Sequence, residues 1–230
     1  MCGIAGFNYY NDDIAADMVS ALKKRGPDQD GIIKLGKNNN VTFVHTRLAV
    51  VDVEHGLQPM KKEGCTLVYN GELYNTEDLR KELLSLGQVF EEKSDTEVVL
   101  KSYLQWGVDC VKHFNGIFAF AIYDGDKIFI ARDRMGVKPL FYAVKDDKFI
   151  FASEIKAILK SGYIQPELDN TSLLELILIG PGRTPGYGIF KNIKEIPKAH
   201  CGVYENNKFT IWEYWSVKNY VHTDTFEETV

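Results

Sequence analysis

The second residue of this chain is a cysteine, in Met1-Cys2-Gly3-Ile4-Ala5-Gly6, and excision of Met1 would leave it with a thiol and a free α-amine together. Cysteine attacks as its thiolate, and an α-amine with a reference pKa of about 7.7–8.0 accepts a proton near neutrality. Nucleophile and base would then share one residue, with no histidine recruited. Cys2 also reads as a small apolar residue opening a buried strand, whose Gly3, Ala5 and Gly6 would allow close approach of another segment. Three further pieces could complete a site for a small zwitterion bearing a side-chain amide. Arg47 offers a rigid fork of donors suited to a carboxylate. Asp95 could accept from an ammonium group, and a carboxylate in a first helical turn is also favourable against the helix dipole alone. Asn70-Gly71-Glu72 supplies a side-chain amide and a backbone N–H at adjacent positions, the pair that a tetrahedral oxyanion needs. The same Asn-Gly dipeptide is the strongest short signal for a hairpin turn.

Elements must hold these pieces in place. Val41, Phe43, His45 and Arg47 alternate with Thr42, Val44, Thr46 and Leu48, the period of a strand, which puts His45 and Arg47 on one face. Further strands are expected over 4–9, 65–69, 118–124, 127–131, 140–144 and 149–152, with hairpin turns at Asp124-Gly125-Asp126 and Lys145-Asp146-Asp147. Helices are expected over 15–24 and over 77–86, stopping at Gly87. Another opens with a capping box, Ser94-Asp95-Thr96-Glu97, and runs to Trp106 with Gly107 as its stop. Ser153 is expected to cap a short helix through Leu159, and a further helix covers about 172–179. Arg25-Gly26-Pro27-Asp28 reads as a tight turn. Hairpins separated from helix pairs argue for an α+β fold, an antiparallel sandwich with helices outside.

A net charge of −5 with scattered lysines gives no basic stripe for nucleic acid. The longest apolar stretches, 117–123 and 173–179, fall far short of the roughly 20 residues that span a bilayer, and no signal peptide is evident, so the expectation is a cytoplasmic protein with no membrane partner. Cys2, Cys65, Cys110 and Cys201 are widely separated, and His45, His55, His113, His200 and His222 are isolated, so free thiols, structural histidines and no metal are expected. Residues 224–230 begin like a helix with Asp224 as cap and end after about one turn, too short to persist alone. The expected organisation is one domain over 2–214, with 215–230 a linker or the start of a further domain.

Met1-Cys2-Gly3-Ile4-Ala5-Gly6, Arg25-Gly26-Pro27-Asp28, His45-Thr46-Arg47-Leu48, Gln58-Pro59-Met60, 69–75, Ser94-Asp95-Thr96-Glu97 and 131–140 together resemble the glutaminase domain of glutamine-hydrolysing asparagine synthetase. That family belongs to the class II glutamine amidotransferases, N-terminal-nucleophile hydrolases with a four-layer αββα fold. The resemblance implies that Cys2 attacks the side-chain amide of L-glutamine, that its α-amine serves as base, and that Asn70 and Gly71 form the oxyanion hole. It implies that Arg47 grips the glutamine carboxylate, that Glu72 and Asp95 hold its α-amino group, and that Leu48, Ala49, Val50 and Val51 line the pocket. Ala49 departs from a common serine. The signature over 132–140 carries no chemical step and reads as architecture. Complete family members continue into a synthetase domain, where ATP and magnesium serve to activate aspartate through a Ser-Gly-Gly-x-Asp-Ser loop. No such run occurs here, and Gly180-Pro181-Gly182-Arg183 reads as a turn. The glutaminase itself needs no cofactor. The expected partners are glutamine and a synthetase domain in cis or trans, with self-association through any apolar face left uncovered. A silent glutamine-sensing or docking module, or a glutaminase serving another acceptor, are the competing readings.

Overall fold

Directly after Cys2 the chain enters the middle of a sheet, and the rest of the molecule is built around that placement. The computed structural model describes residues 1–9, 11–38, 40–49, 56–180, 182, 184–219 and 223–225. In chain order the first elements are β1 (Gly3–Phe7), α1 (Asp12–Leu22), β2 (Gln29–Leu35), β3 (Val41–Arg47), β4 (Met60–Lys62) and β5 (Cys65–Leu73). There follow α2 (Thr76–Ser85), α3 (Asp95–Trp106), a 3-10 turn (Gly107–Lys112), β6 (Gly116–Tyr123), β7 (Ile128–Arg132), β8 (Phe141–Lys145) and β9 (Lys148–Ala152). The last are α4 (Ile155–Leu159), α5 (Asn170–Leu178), β10 (Lys194–Glu195), β11 (His200–Glu205) and β12 (Lys208–Glu213). They form two six-stranded sheets, in the orders β10-β8-β9-β1-β3-β2 and β12-β11-β7-β6-β5-β4.

Side-chain alternation decides the layers. Ile4, Phe43 and Phe151 of the first sheet meet Val68, Ala121 and Ile130 of the second in a dry layer between the sheets. On the outer face of the first sheet Ala5, Val44 and Ile150 pack under Met18, Leu22 and Ile158 from α1 and α4. On the outer face of the second, Leu67, Tyr69 and Phe120 pack under Leu83, Val99 and Leu100 from α2 and α3. The result is the expected α+β sandwich, in four layers, helix–sheet–sheet–helix. Burying each large side chain completely contributes about 1.5–3 kcal/mol, so three contiguous clusters fix the stacking order.

Several expectations are corrected. Asn70-Gly71 is no turn: it lies inside β5, because β6 pairs with the whole run, from Thr66↔Tyr123 to Leu73↔Gly116. Ser153 does not cap α4; its hydroxyl accepts from Ile4 N–H at 3.0 Å, tying the strand behind Cys2 to the end of β9. The capping box is half made: Ser94 Oγ accepts from Glu97 N–H at 3.4 Å, but the Glu97 carboxylate turns to the Glu91 and Glu92 N–H groups and to Lys62 Nζ at 3.0 Å. Helix α1 starts earlier than its apolar spacing suggests, because Asn11 caps it through Asp13 and Ile14 N–H. Helix α5 forms where the apolar run predicts, with its polarity reversed. Ser172 and Glu175 point inward, whereas Ile177 and Leu178 are 78% and 76% exposed. Residues 181, 183 and 226–230, within the expected turn and terminal helix, lie outside the described residues. No helix among the described residues is long and apolar enough to cross a membrane.

The 132–140 signature is a knot of main-chain contacts. Buried Arg132 donates to the carbonyls of Gly136, Lys138 and Ile196 and pairs with Glu195 at 3.0 Å. Asp133, fully buried, accepts from the N–H groups of Phe118, Met135, Val137 and Lys138. Arg132→Met should therefore cost about 3–5 kcal/mol in urea unfolding, since it takes the donor from three carbonyls and breaks the ion pair with Glu195 at once. A loss under about 1 kcal/mol would mean that water replaces these contacts.

Candidate active site

A cleft of about 920 Å³ opens where the first sheet meets the amino-terminal ends of α2 and α3, and Cys2, Arg47, Leu48, Asn70, Gly71, Glu72 and Asp95 all line it. Seven of the sequence-derived candidates thus come together from four separate stretches of chain. Ala49 is outside the lining, its N–H donated to Asp28 Oδ2 at 2.8 Å, and Val50 and Val51 fall outside the described residues.

Cys2 is half-buried, with Sγ 3.9 Å from the Leu48 carbonyl, and its own carbonyl accepts from Arg25 Nε at 2.9 Å. Arg25 is in turn paired with Glu154 at 3.2 Å. The turn that carries Arg25 must contain glycine: a Cβ on Gly26 would fall 2.3 Å from the Thr46 carbonyl. That turn is fastened to β3 by Asp28 N–H on the Arg47 carbonyl at 3.1 Å. Arg25 is a residue whose part in the site the tight-turn reading missed, although its motif was visible. Arg47, the last residue of β3, is nearly buried.

The geometry of β5 decides what Asn70 and Gly71 offer. In an antiparallel strand, alternate residues turn N–H and C=O to the same edge. Tyr74 N–H bonds the Asn115 carbonyl on the β6 side, so Tyr69, Gly71 and Leu73 face the other edge, beyond the end of β4. There Tyr69 N–H meets Gln58 Oε1 at 2.6 Å, the Tyr69 carbonyl meets His45 Nε2 at 3.3 Å, and Leu73 N–H meets Asp95 Oδ2 at 3.2 Å. Gly71 N–H, between them, faces the cleft. A side chain at Gly71 would press on the Ile117 carbonyl at 2.6 Å, so this close strand pairing requires glycine. Beside it Asn70 is 2% exposed, and its Nδ2 is buried without a hydrogen-bond partner among the described residues. Leaving such a donor unpaired costs about 1–3 kcal/mol, a cost that an incoming acceptor would relieve.

Asp95 Oδ2 also accepts from the Tyr69 hydroxyl at 2.8 Å. Burial raises the Asp95 carboxyl above its ordinary value, partly offset by these donors, while burial and the nearby acid raise the Tyr69 hydroxyl so that it stays protonated and donates. Glu72 is exposed at the rim. Gln58, Tyr69, Thr76, Ser94 and Lys138 also line the cleft, roles that sequence spacing did not assign. No group of three or more potential metal ligands occurs among the described residues.

His45 is buried between the sheets, and burial, helped by the Arg47 charge, lowers it to about 4, against the bond to Tyr69. It is therefore neutral at physiological pH, and because a carbonyl only accepts, Nε2 carries the hydrogen. An unfolded chain with histidine near its ordinary 6.5 binds a proton that the folded chain refuses, so stability rises with pH in this window. The contribution present above about pH 6.5 is lost as pH falls toward 4, reaching about 3 kcal/mol. Urea midpoints between pH 7 and pH 4.5 should fall less steeply in His45→Gln, and equal slopes would show that the folded histidine is charged.

Two antiparallel sheets face to face between helix layers, with a cysteine leading into a central strand, define the fold of an N-terminal-nucleophile amidotransferase. Solved structures share it: the allosteric regulatory enzyme of purine biosynthesis superposes with a TM-score of 0.71 at 18% identity over 93% of this chain and 49% of that one. Glutamine phosphoribosylpyrophosphate amidotransferase from B. subtilis gives 0.67 at 18% identity over 95% of this chain and 50% of that one. At that identity the likeness concerns the fold alone. The chain belongs to the glutamine amidotransferase domain family, whose sequence profile matches residues 1–215. It is 49% identical to asparagine synthetase [glutamine-hydrolyzing] 3 of Bacillus subtilis, over 100% of this chain and 39% of that protein. It is 36% identical to putative asparagine synthetase [glutamine-hydrolyzing] 2 of Methanocaldococcus jannaschii, over 96% of this chain and 47% of that protein. The chain thus spans less than half the length of either relative.

Proposed function

We propose that the chain hydrolyses the side-chain amide of L-glutamine to glutamate and ammonia through a thioester at Cys2. The observation that carries this reading is a buried Asn70 Nδ2 with no partner among the described residues, beside a cleft-facing Gly71 N–H, in the same cleft as the Cys2 thiol. Excision of Met1, which is exposed, frees an α-amine in the cleft to take the thiol proton. The thiolate attacks the amide carbon, and the oxyanion takes hydrogen bonds from Asn70 Nδ2 and Gly71 N–H. The C–N bond then breaks, with the proton passing from the α-amine to the departing ammonia. Water hydrolyses the thioester with the amine as base, releasing glutamate. Arg47 holds the α-carboxylate and Leu48 lines the pocket wall, while Glu72 and Asp95 hold the α-ammonium.

The relatives' names support an extension: ammonia passes to a synthetase part that makes asparagine from aspartate, in cis beyond residues 215–230 or in trans. ATP and magnesium belong to that part. The outward apolar face of α5 supports burial against it, since Ile177 and Leu178 are otherwise left in water. The test is release of glutamate and ammonia in equal amounts from glutamine. It is joined by intact mass for Met1 removal and by peptide mass for Cys2 labelled with a diazo-ketone glutamine analogue. Glutamine binding without turnover in a chain lacking Met1 would favour a sensing module instead.

A further inference from the structure

We infer that His45 and Gln58 are positioning residues for this reaction, gripping the main chain of Tyr69 so that the Asn70 amide and Gly71 N–H stay where the oxyanion forms. The inference rests on the glutaminase reading above. Strand β4 pairs with β5 only as far as Met60↔Leu67, so beyond that point the edge of β5 has no neighbouring strand among the described residues. A bare edge would leave Tyr69, Gly71 and Leu73 to water and to movement. Side chains take the place of the missing strand on either side of Gly71, and among the described residues they skip Gly71 itself.

The two grips on Tyr69 come from different directions. Gln58, on the segment leading into β4, presents Oε1 to Tyr69 N–H at 2.6 Å, and its Nε2 reaches Thr96 Oγ1 in the first turn of α3 at 3.5 Å. His45 crosses from the first sheet, where its strand neighbours are Ile4 on β1 and Gly31 on β2, and presents Nε2 to the Tyr69 carbonyl at 3.3 Å. The carbonyl it holds belongs to the peptide that begins Asn70. A rotation of that peptide would swing both oxyanion donors together, and each is useful only within about 2.7–3.1 Å of the developing charge. The grip also ties the sheet that carries Cys2 to the sheet that carries the oxyanion donors, across the layer where a slip would separate them. Neither side chain touches substrate in this scheme; both act through Tyr69.

The experiment compares His45→Met with His45→Gln, which have similar size but only the latter keeps an N–H donor. Folding is checked by urea unfolding, and kcat and KM for glutamine are measured. Binding is measured for glutamate and for L-glutamate γ-semialdehyde, whose aldehyde carbon the thiol converts to a tetrahedral hemithioacetal. His45→Met should lower kcat about 10–100-fold with KM within about threefold, and should weaken the semialdehyde in parallel while glutamate binding holds. His45→Gln should recover most of the loss. A folded His45→Met with kcat within about twofold of the parent overturns the inference, as do equal losses in the two variants or a matching loss of glutamate binding. If His45→Met does not fold, Gln58→Met reads the other grip by the same measurements, and unchanged kcat there overturns it equally. Absence of turnover in the parent chain would instead defeat the glutaminase reading.

Discussion

Cys2→Ala is expected to reduce glutamine hydrolysis to the uncatalysed background while leaving the unfolding free energy within about 1 kcal/mol of the parent. Among the described residues the sulfur makes one weak hydrogen bond, 3.9 Å to the Leu48 carbonyl, and the residue precedes β1, so its removal leaves no large cavity and no stranded polar group. Cys2→Ser should be nearly as inactive, since a hydroxyl in the same place is far less nucleophilic than a thiolate. No other thiol can replace it: Cys65, Cys110 and Cys201 are buried outside the cleft, and burial raises all three, Cys201 to about 12. Turnover by Cys2→Ala within about tenfold of the parent, with both products measured, would place the nucleophile elsewhere and end the thioester mechanism.

Much of this site was legible because its members sit where local pattern and function agree. The alternation from Val41 to Leu48 sent Phe43, His45 and Arg47 to one face, and that face is the one that meets the second sheet and reaches the cleft. Asn70-Gly71 shows the limit. The dipeptide is a hairpin signal over four residues, but β6 pairs with this run from some 45 residues away, and no local preference reports that pairing. Strand β2 escaped for a related reason: as an outer strand with a half-exposed, largely polar run it lacks the apolar alternation that marks a strand. Ser153 read as a helix cap because serine before a helix usually is one, yet the demand of Ile4 N–H, 149 residues away in sequence, claimed its hydroxyl. From the sequence His45 reads as structural, and it is a buried neutral donor, but the carbonyl that gives this consequence belongs to the other sheet. What sequence spacing withheld was partnership between the sheets, and the site lies where they meet.

Asn70→Ala should lower kcat about 100–1000-fold while KM for glutamine changes little. The reason is the state of the amide before reaction: Nδ2 is buried and unpartnered among the described residues, so it contributes nothing to holding the ground state together. Its hydrogen bond comes into being with the oxyanion and is strongest there, which is the signature of an interaction made in the transition state alone. The same reasoning fixes the stability effect. Alanine removes an unsatisfied donor, so the variant should unfold at an equal or higher urea concentration than the parent, in contrast to the loss expected when a satisfied buried amide is deleted. Activity and stability would then move in opposite directions. Asn70→Asp separates charge from geometry, because a carboxylate of the same shape has no donor and would repel the oxyanion, and it should be less active than the alanine variant. A rise in KM with kcat preserved in Asn70→Ala would instead make Asn70 a ground-state binding residue and leave Gly71 N–H to support the oxyanion alone.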